Sequence, residues 1–167
     1  IAYGCDCPKH YHPQNGDLTL PMAWAKTGGY HAENERTIII GELDSYKRRA
    51  YDGMLRARES IFNILRPGTA FEDLYRAAAQ VYTDYGFGDI LPGRVGHGIG
   101  CSAHEFPSLA MGNKIALKPG MVITVEPGLM DKGWGGVRHS DTVLITEEGY
   151  ESLTKYNMGE ISIQIRG

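Results

Sequence analysis

Between residues 18 and 41 the chain reads as two strand-like stretches, 18–26 and 29–41, joined across Thr27-Gly28-Gly29. Glycine supplies the positive φ that a tight hairpin needs, so this segment is committed to antiparallel pairing. The periodicity then changes. Asp44 or Ser45 opens a helix whose apolar positions Tyr51, Met54, Leu55, Ile61, Phe62 and Leu65 recur at helical spacing, and Pro67-Gly68 stops it. Lys47, Arg48, Arg49, Arg56 and Arg58 are expected on its solvated face. Thr69 and Glu72 read as a capping-box pair for a second helix carrying Leu74, Ala78, Val81, Tyr82 and Tyr85, closed by Gly86. From Gly93 the texture is glycine-punctuated strand, with a short buried strand over 121–126 and a longer one over 137–146. Strands, two helices, then strands describe an α+β fold, a curved antiparallel sheet with helices packed on one face.

A chain of 167 residues, 42% of them hydrophobic, is long enough for one domain with its own core, spanning 1–167. Charged residues at 22% and a net charge of -3 give neither a disordered composition nor a nucleic-acid footprint. No apolar run approaches the ~20 residues that span a bilayer, and the start has no charged-then-apolar leader. The expected location is the cytoplasm. Cys5, Cys7 and Cys101 are an odd set that fits a reducing compartment better than a disulfide framework. The chain opens on Ile1 with organised sequence close behind, so it is expected to be the C-terminal portion of a longer protein.

Polar groups recur where strands would carry them. Alternation along 30–37 sets His31, Glu33, Glu35 and Thr37 on one face, and unpaired glutamates are rarely buried, so that face is either wet or functional. Gly96-His97-Gly98-Ile99-Gly100 and Ala103-His104-Glu105 follow, with glycines that let backbone and substrate approach the histidine closely. Val125-Glu126-Pro127-Gly128 places a glutamate at the end of an apolar strand, and Gly136-Val137-Arg138-His139-Ser140-Asp141-Thr142 is the last cluster. Near the start, Cys5-Asp6-Cys7-Pro8-Lys9-His10-Tyr11-His12 reads as a structural zinc loop, as a loop carrying a histidine to the site, or as an ordinary polar loop.

These clusters, in this order, resemble the pita-bread superfamily of methionine aminopeptidases, aminopeptidase P, prolidases and creatinase. The likeness lies in Leu65-Arg66-Pro67-Gly68-Thr69 through Gly96-His97-Gly98-Ile99-Gly100, then in Lys118-Pro119-Gly120-Met121-Val122 and Val125-Glu126-Pro127-Gly128. It runs from about Gly16 to Tyr150. The resemblance implies a site in which two aspartates, one histidine and two glutamates hold two divalent metals. His97 and Glu126 fall on the histidine and the first glutamate, Glu33 on the second aspartate, Met22 on the first aspartate and Ser140 on the last glutamate. A thioether and a hydroxyl are poor ligands for hard dications, so a degenerate metal site with no cofactor is expected. Gly29-Tyr30 and Glu35-Arg36-Thr37, with His97, His104 and Glu126, are similar to creatinase, the metal-independent branch. That branch carries a glutamate where this chain has His139.

The leading expectation is therefore a creatinase-like, metal-free hydrolase of a C–N bond in a small polar molecule. His10 or His12 would act as general base, and His97 and His104 would donate to the developing oxyanion. Glu35 and Glu126 would bind a cationic group and Arg138 a carboxylate. The alternative is a metal-dependent Xaa-Pro aminopeptidase or dipeptidase with manganese, cobalt or zinc on Glu33, His97 and Glu126. A third reading is an inactive domain that binds a peptide or protein partner. The resemblance also implies a homodimer.

Overall fold

The computed structural model describes residues 12–131, 133–156 and 159–164. Among these the order is β1 (Asp17–Thr19), β2 (Met22–Thr27), β3 (Tyr30–Glu35), β4 (Ile38–Ile40), α1 (Ser45–Ile64) and α2 (Phe71–Asp84). After a 3-10 turn at Gly88–Ile90 come β5 (His97–Gly98), β6 (Glu105–Ser108), β7 (Val122–Val125), β8 (Gly128–Asp131) and β9 (Gly135–Arg138). β10 (Ser140–Ile145), β11 (Tyr150–Ser152) and β12 (Ser162–Ile163) complete the described chain. The main sheet has seven strands in the order β2-β3-β10-β7-β5-β6, with β11 on β10. Its strand pairs are all antiparallel. None of the described helices is long and apolar enough to cross a membrane.

The hairpin joining β2 and β3 has a two-residue loop, since Thr27 pairs with Tyr30. Gly28 and Gly29 both take positive φ, 58° and 90°, the backbone that matches the twist of paired strands. α1 begins where expected, because Asp44 accepts the Lys47 backbone N–H at 2.8 Å. Ala50, Tyr51, Met54, Ala57 and Ile61 are fully buried and share one core with Ile123, Val125, Val143 and Ile145 of β7 and β10. Alternation then sends Thr124, Ser140 and Thr142 to the other face of those strands. The helices thus cover one side of the sheet, and the polar residues gather on the other.

Three expectations fail locally. Thr69 and Glu72 form no capping box. The α2 N-cap is Ala70 with no side-chain cap, and Thr69 donates to the Ile64 carbonyl instead, at 2.7 Å. The loop at 113–115 supplies the missing acceptors, Asn113 O for Glu72 N (2.8 Å) and Ile115 O for Phe71 N (2.9 Å). Arg58 is not on a solvated face. It is buried against Asp141, which its Nε meets at 2.8 Å. The strand expected over 137–146 breaks at His139, with β9 pairing only to β8 and β10 pairing within the main sheet.

His139 turns inward at that break, fully buried and edge-on to Tyr51 at 5.9 Å, with no hydrogen bond of good geometry at either ring nitrogen and only a weak backbone contact with Thr37. Burial, helped by the nearby Arg36 guanidinium, pushes its pKa down to about 4. The unfolded chain therefore takes up a proton below about pH 6.5 that the folded chain refuses until about pH 4. Stability from this residue is complete above that window and falls as pH drops through it, by about 3 kcal/mol in all. His139→Leu should flatten the acid limb of a denaturation midpoint measured from pH 7 to 4. An unchanged slope would show that His139 is not the group responsible.

Candidate metal centre

The site is assembled on the face away from the helices. Met22, Glu35 and Ser140 lie in one register row across β2, β3 and β10. One alternation along β3, Glu33 lies opposite Trp24. The β3–β10 ladder is short, covering Ser140–Glu35 and Asp141–Asn34. Beyond it the Thr142 hydroxyl takes over, accepting from Glu33 N at 3.1 Å and donating to Glu33 O at 2.9 Å. Thr124 anchors the next member, its hydroxyl accepting from His97 N at 3.0 Å. The two threonines pair in register and fix the backbones of Glu33 and His97 from below. Gly96 and Gly98 are needed on either side of His97. A Cβ on Gly96 would lie 2.1 Å from the Thr124 carbonyl oxygen, and one on Gly98 2.7 Å from the Phe106 carbonyl oxygen.

Glu33, His97 and Glu126 are all buried, and each offers one ligand atom within 4.8 Å of the others'. His97 Nδ1 lies 2.8 Å from its neighbour's carbonyl, Gly98 O, which fixes the proton on Nδ1 and leaves Nε2 as a bare lone pair. That lone pair has no hydrogen-bond partner and faces Glu126 Oε1 at 3.4 Å and Glu33 Oε2 at 3.8 Å. Burial holds the His97 pKa down at about 4, so the ring is neutral near pH 7 and cannot act as the counter-cation. Burial also raises the Glu126 pKa to about 8, with Glu33 and Glu35 adding to the rise and Arg138 opposing it. The bare His97 lone pair and the two carboxylates thus crowd together, a conflict that in the absence of a cation favours a proton on Glu126.

A divalent cation resolves that conflict, and the donor set suits one. Two carboxylates and an imidazole match zinc, manganese or cobalt and neutralise one dication. The other nearby groups are engaged. Ser140 donates its hydroxyl to Glu33 Oε1 at 2.7 Å. Both oxygens of Glu35 are taken by Arg138, through Nε and, at 2.8 Å, through Nη2. Glu35, expected to receive a cationic substrate group, has that cation supplied internally. Its pKa is still raised, because burial outweighs the attraction of Arg138.

The structure gathers Glu33, Glu35, His97, Glu126 and Arg138 as the polar clusters imply. His104 joins at the exposed rim, its ring 4.3 Å from that of His97. His10, Cys5 and Cys7 lie outside the described residues, so the zinc loop and the upstream base have no structural counterpart to set beside them. His12 is exposed ahead of β1, its carbonyl bonded to Gln14 Nε2 at 2.9 Å. Thr124, Thr142 and Arg94 were not among the expected site residues. Alternation alone would have found the threonines, two residues from Glu126 and Ser140 on the same strand faces. Arg94, whose Nε lies 3.6 Å from Glu126 Oε1, comes from irregular chain with no periodicity to place it. A cavity of about 560 Å³ opens beside Glu126, lined by Arg94, Arg138, Ser108, Leu91 and Met130 among others.

Comparison with known proteins bears on the fold and the metal. The chain is 37% identical over 142 residues to an Xaa-Pro dipeptidase from Pyrococcus furiosus, covering 85% of this chain and 41% of that protein. The solved prolidase from Pyrococcus furiosus superposes with a TM-score of 0.87 at 35% identity, over 93% of this chain and 46% of that one. A dipeptidase structure from Pyrococcus horikoshii gives 0.90 at 33% identity, over 97% and 46%. The chain therefore spans less than half the length of these relatives. Methionine aminopeptidase from Rickettsia prowazekii, at 23% identity and a TM-score of 0.73, shares the fold. The expected α+β pita-bread architecture is thereby shown. Residues 2–147 match metallopeptidase family M24. A metallopeptidase match together with the Glu33–His97–Glu126 cluster overturns the expectation that no cofactor is needed. Beside Met22 and Ser140, the residues Glu33, His97 and Glu126 still form a group that could hold one ion. On a match that takes in most of its length, the chain belongs to metallopeptidase family M24.

Proposed function

We propose that this chain is the catalytic part of a metal-dependent peptidase acting on short peptides of the Xaa-Pro dipeptide class, with one divalent ion on Glu33, His97 and Glu126. The observation that carries the reading is the unpartnered His97 Nε2 aimed at two buried carboxylates. The similarity to an Xaa-Pro dipeptidase and a prolidase supports the substrate class. It favours this reading over the metal-free, creatinase-like hydrolase. A bound dication would supply Lewis acidity and a water acidified toward neutrality.

The remaining roles belong to the side chains. Glu126 and Glu33 hold their charge toward the ion, and Thr124 and Thr142 keep the strands carrying His97 and Glu33 from shifting. His104 stands at the rim, where a donated proton can meet a substrate carbonyl oxygen or the leaving nitrogen. The cavity beside Glu126 is of the size of a small-molecule pocket. Arg94 on its wall offers a contact for a substrate carboxylate.

The test is hydrolysis by the full-length protein of Xaa-Pro dipeptides, other dipeptides and small guanidino acids. Each is assayed after chelation and after adding back manganese, cobalt or zinc. The expected result is cleavage of dipeptides that chelation stops and one of these metals restores. Under the same conditions, Arg94→Ala should raise KM for free dipeptides and leave their amides unaffected. Chelator-resistant cleavage of a guanidino acid would instead establish the creatinase-like reading.

A further inference from the structure

The face that carries the triad holds a third buried carboxylate, Glu35, only 1% exposed. It stands two residues beyond Glu33 on the same strand face and in register with both Met22 and Ser140. Left to itself, this arrangement would offer a second group of oxygens to a second dication beside the first. Arg138 stands in that place. Its Nε and Nη2 cover both oxygens of Glu35, and its Nη1 lies 4.0 Å from Glu126 Oε2, so the guanidinium lies between the two carboxylates.

The arginine is also held there. A single hydroxyl, Thr37 Oγ1, accepts the Arg138 N–H at 2.8 Å and donates to the Arg138 carbonyl at 2.9 Å. Gly128 pairs with Arg138 across the β8–β9 hairpin. The stem of the arginine runs over it, so that a Cβ on Gly128 would come within 3.1 Å of Arg138 Cβ and Cγ. Arg138 thereby neutralises Glu35, and Arg94 stands 3.6 Å from Glu126 Oε1. A second dication would bring two more positive charges against a fixed guanidinium.

We propose that Arg138, pinned by Glu35, is a built-in cation standing where a second divalent ion would otherwise bind, and that this pair sets the metal content of the site at one. The inference rests on reading Glu33, His97 and Glu126 as a metal site. It adds that the chain's own side chains, and not only missing ligands, exclude the second ion. Removing the guanidinium frees both Glu35 oxygens, vacates space between Glu35 and Glu126, and leaves the carboxylates of Glu33, Glu35 and Glu126 facing the cleft without it.

Metal content distinguishes the two ideas. The full-length wild type, Arg138→Ala, Arg138→Met and Arg138→Lys would be equilibrated with excess manganese and freed of unbound ion. Each would then be measured by elemental analysis and by electron paramagnetic resonance. The expected result is one equivalent with the spectrum of an isolated ion for wild type and Arg138→Lys. For Arg138→Ala and Arg138→Met it is two equivalents with a spin-coupled spectrum. Arg138→Met keeps the stem over Gly128, so its result decides the matter if the alanine variant does not fold. One equivalent in wild type and in both uncharged variants would overturn the inference and leave the triad reading intact. Two equivalents in wild type would overturn it as well. No manganese bound by wild type would sink the triad reading and this inference with it.

Discussion

His97→Ala should abolish tight metal binding and, with it, peptidase activity, while the protein stays folded. The imidazole is the sole nitrogen donor of the triad. Its Nε2 is the atom that both carboxylates face, at 3.4 and 3.8 Å. Disturbing a group that merely supports a metal ligand costs about ten- to a hundredfold in affinity, so deleting a ligand from a set of three should cost at least about a hundredfold. The fold has less at stake, because the ring's hydrogen bond is to the carbonyl of its own neighbour, Gly98. The core cluster lies on the other side of the sheet. Metal titration calorimetry and a denaturation curve on the same sample separate the two effects. Unchanged manganese affinity in His97→Ala would rule out the triad as the metal site.

The parts of this architecture that could be read in advance are those governed by local rules. The Gly28-Gly29 turn needs positive φ whatever surrounds it, and Asp44 caps a helix with an N–H three residues away. Alternation placed Glu33 and Glu35 on one face without any knowledge of the partner strands. Each failure involves a partner distant in sequence. Thr69 looks like a cap until the loop at 113–115 supplies the backbone acceptors. Arg58 looks solvated until Asp141, 83 residues on, meets it beneath the sheet.

The site was legible as a set of residues and not as a set of pairings. Glu35 and Arg138 each have the chemistry to bind a substrate ion, and residue type alone assigns them separately to a cation and a carboxylate. Their 103-residue separation hides that they neutralise each other. The same holds for the metal. Met22 and Ser140 count as losses when ligand positions are taken one at a time. The unpartnered lone pair of His97 and the short distances to Glu33 and Glu126 emerge only when β3, β5 and the end of β7 are brought together. Burial then rules out the wet reading of the glutamate face, because Glu33 is 3% and Glu35 1% exposed.

Asp141→Ala should be among the most destabilising single substitutions in the chain. The carboxylate is fully buried and accepts from Arg36 Nη2 at 2.5 Å, Arg58 Nε at 2.8 Å and Thr154 Oγ1 at 2.9 Å. It thereby ties β10 to α1, to the segment after β3 and to the segment after β11. Without it, two buried guanidinium groups lose their shared anion, a change that costs about 3–5 kcal/mol. A typical domain has only about 5–15 kcal/mol of stability in all. The effect should reach the metal centre too. Arg36 donates to Glu35 O at 2.7 Å and Ser140 O at 2.8 Å, and Ser140 in turn donates to Glu33. A displaced Arg36 therefore loosens the strands that carry two of the site's carboxylates. Urea denaturation should show the loss as a lower midpoint, and metal titration in the absence of urea should show weakened binding in the fraction that remains folded. Asp141→Asn should fall between the two, since it keeps an acceptor oxygen but not the charge. A midpoint for Asp141→Ala within about 1 kcal/mol of wild type, the range of ordinary point mutations, would show that the two arginines find other partners and that Asp141 does not hold these elements together.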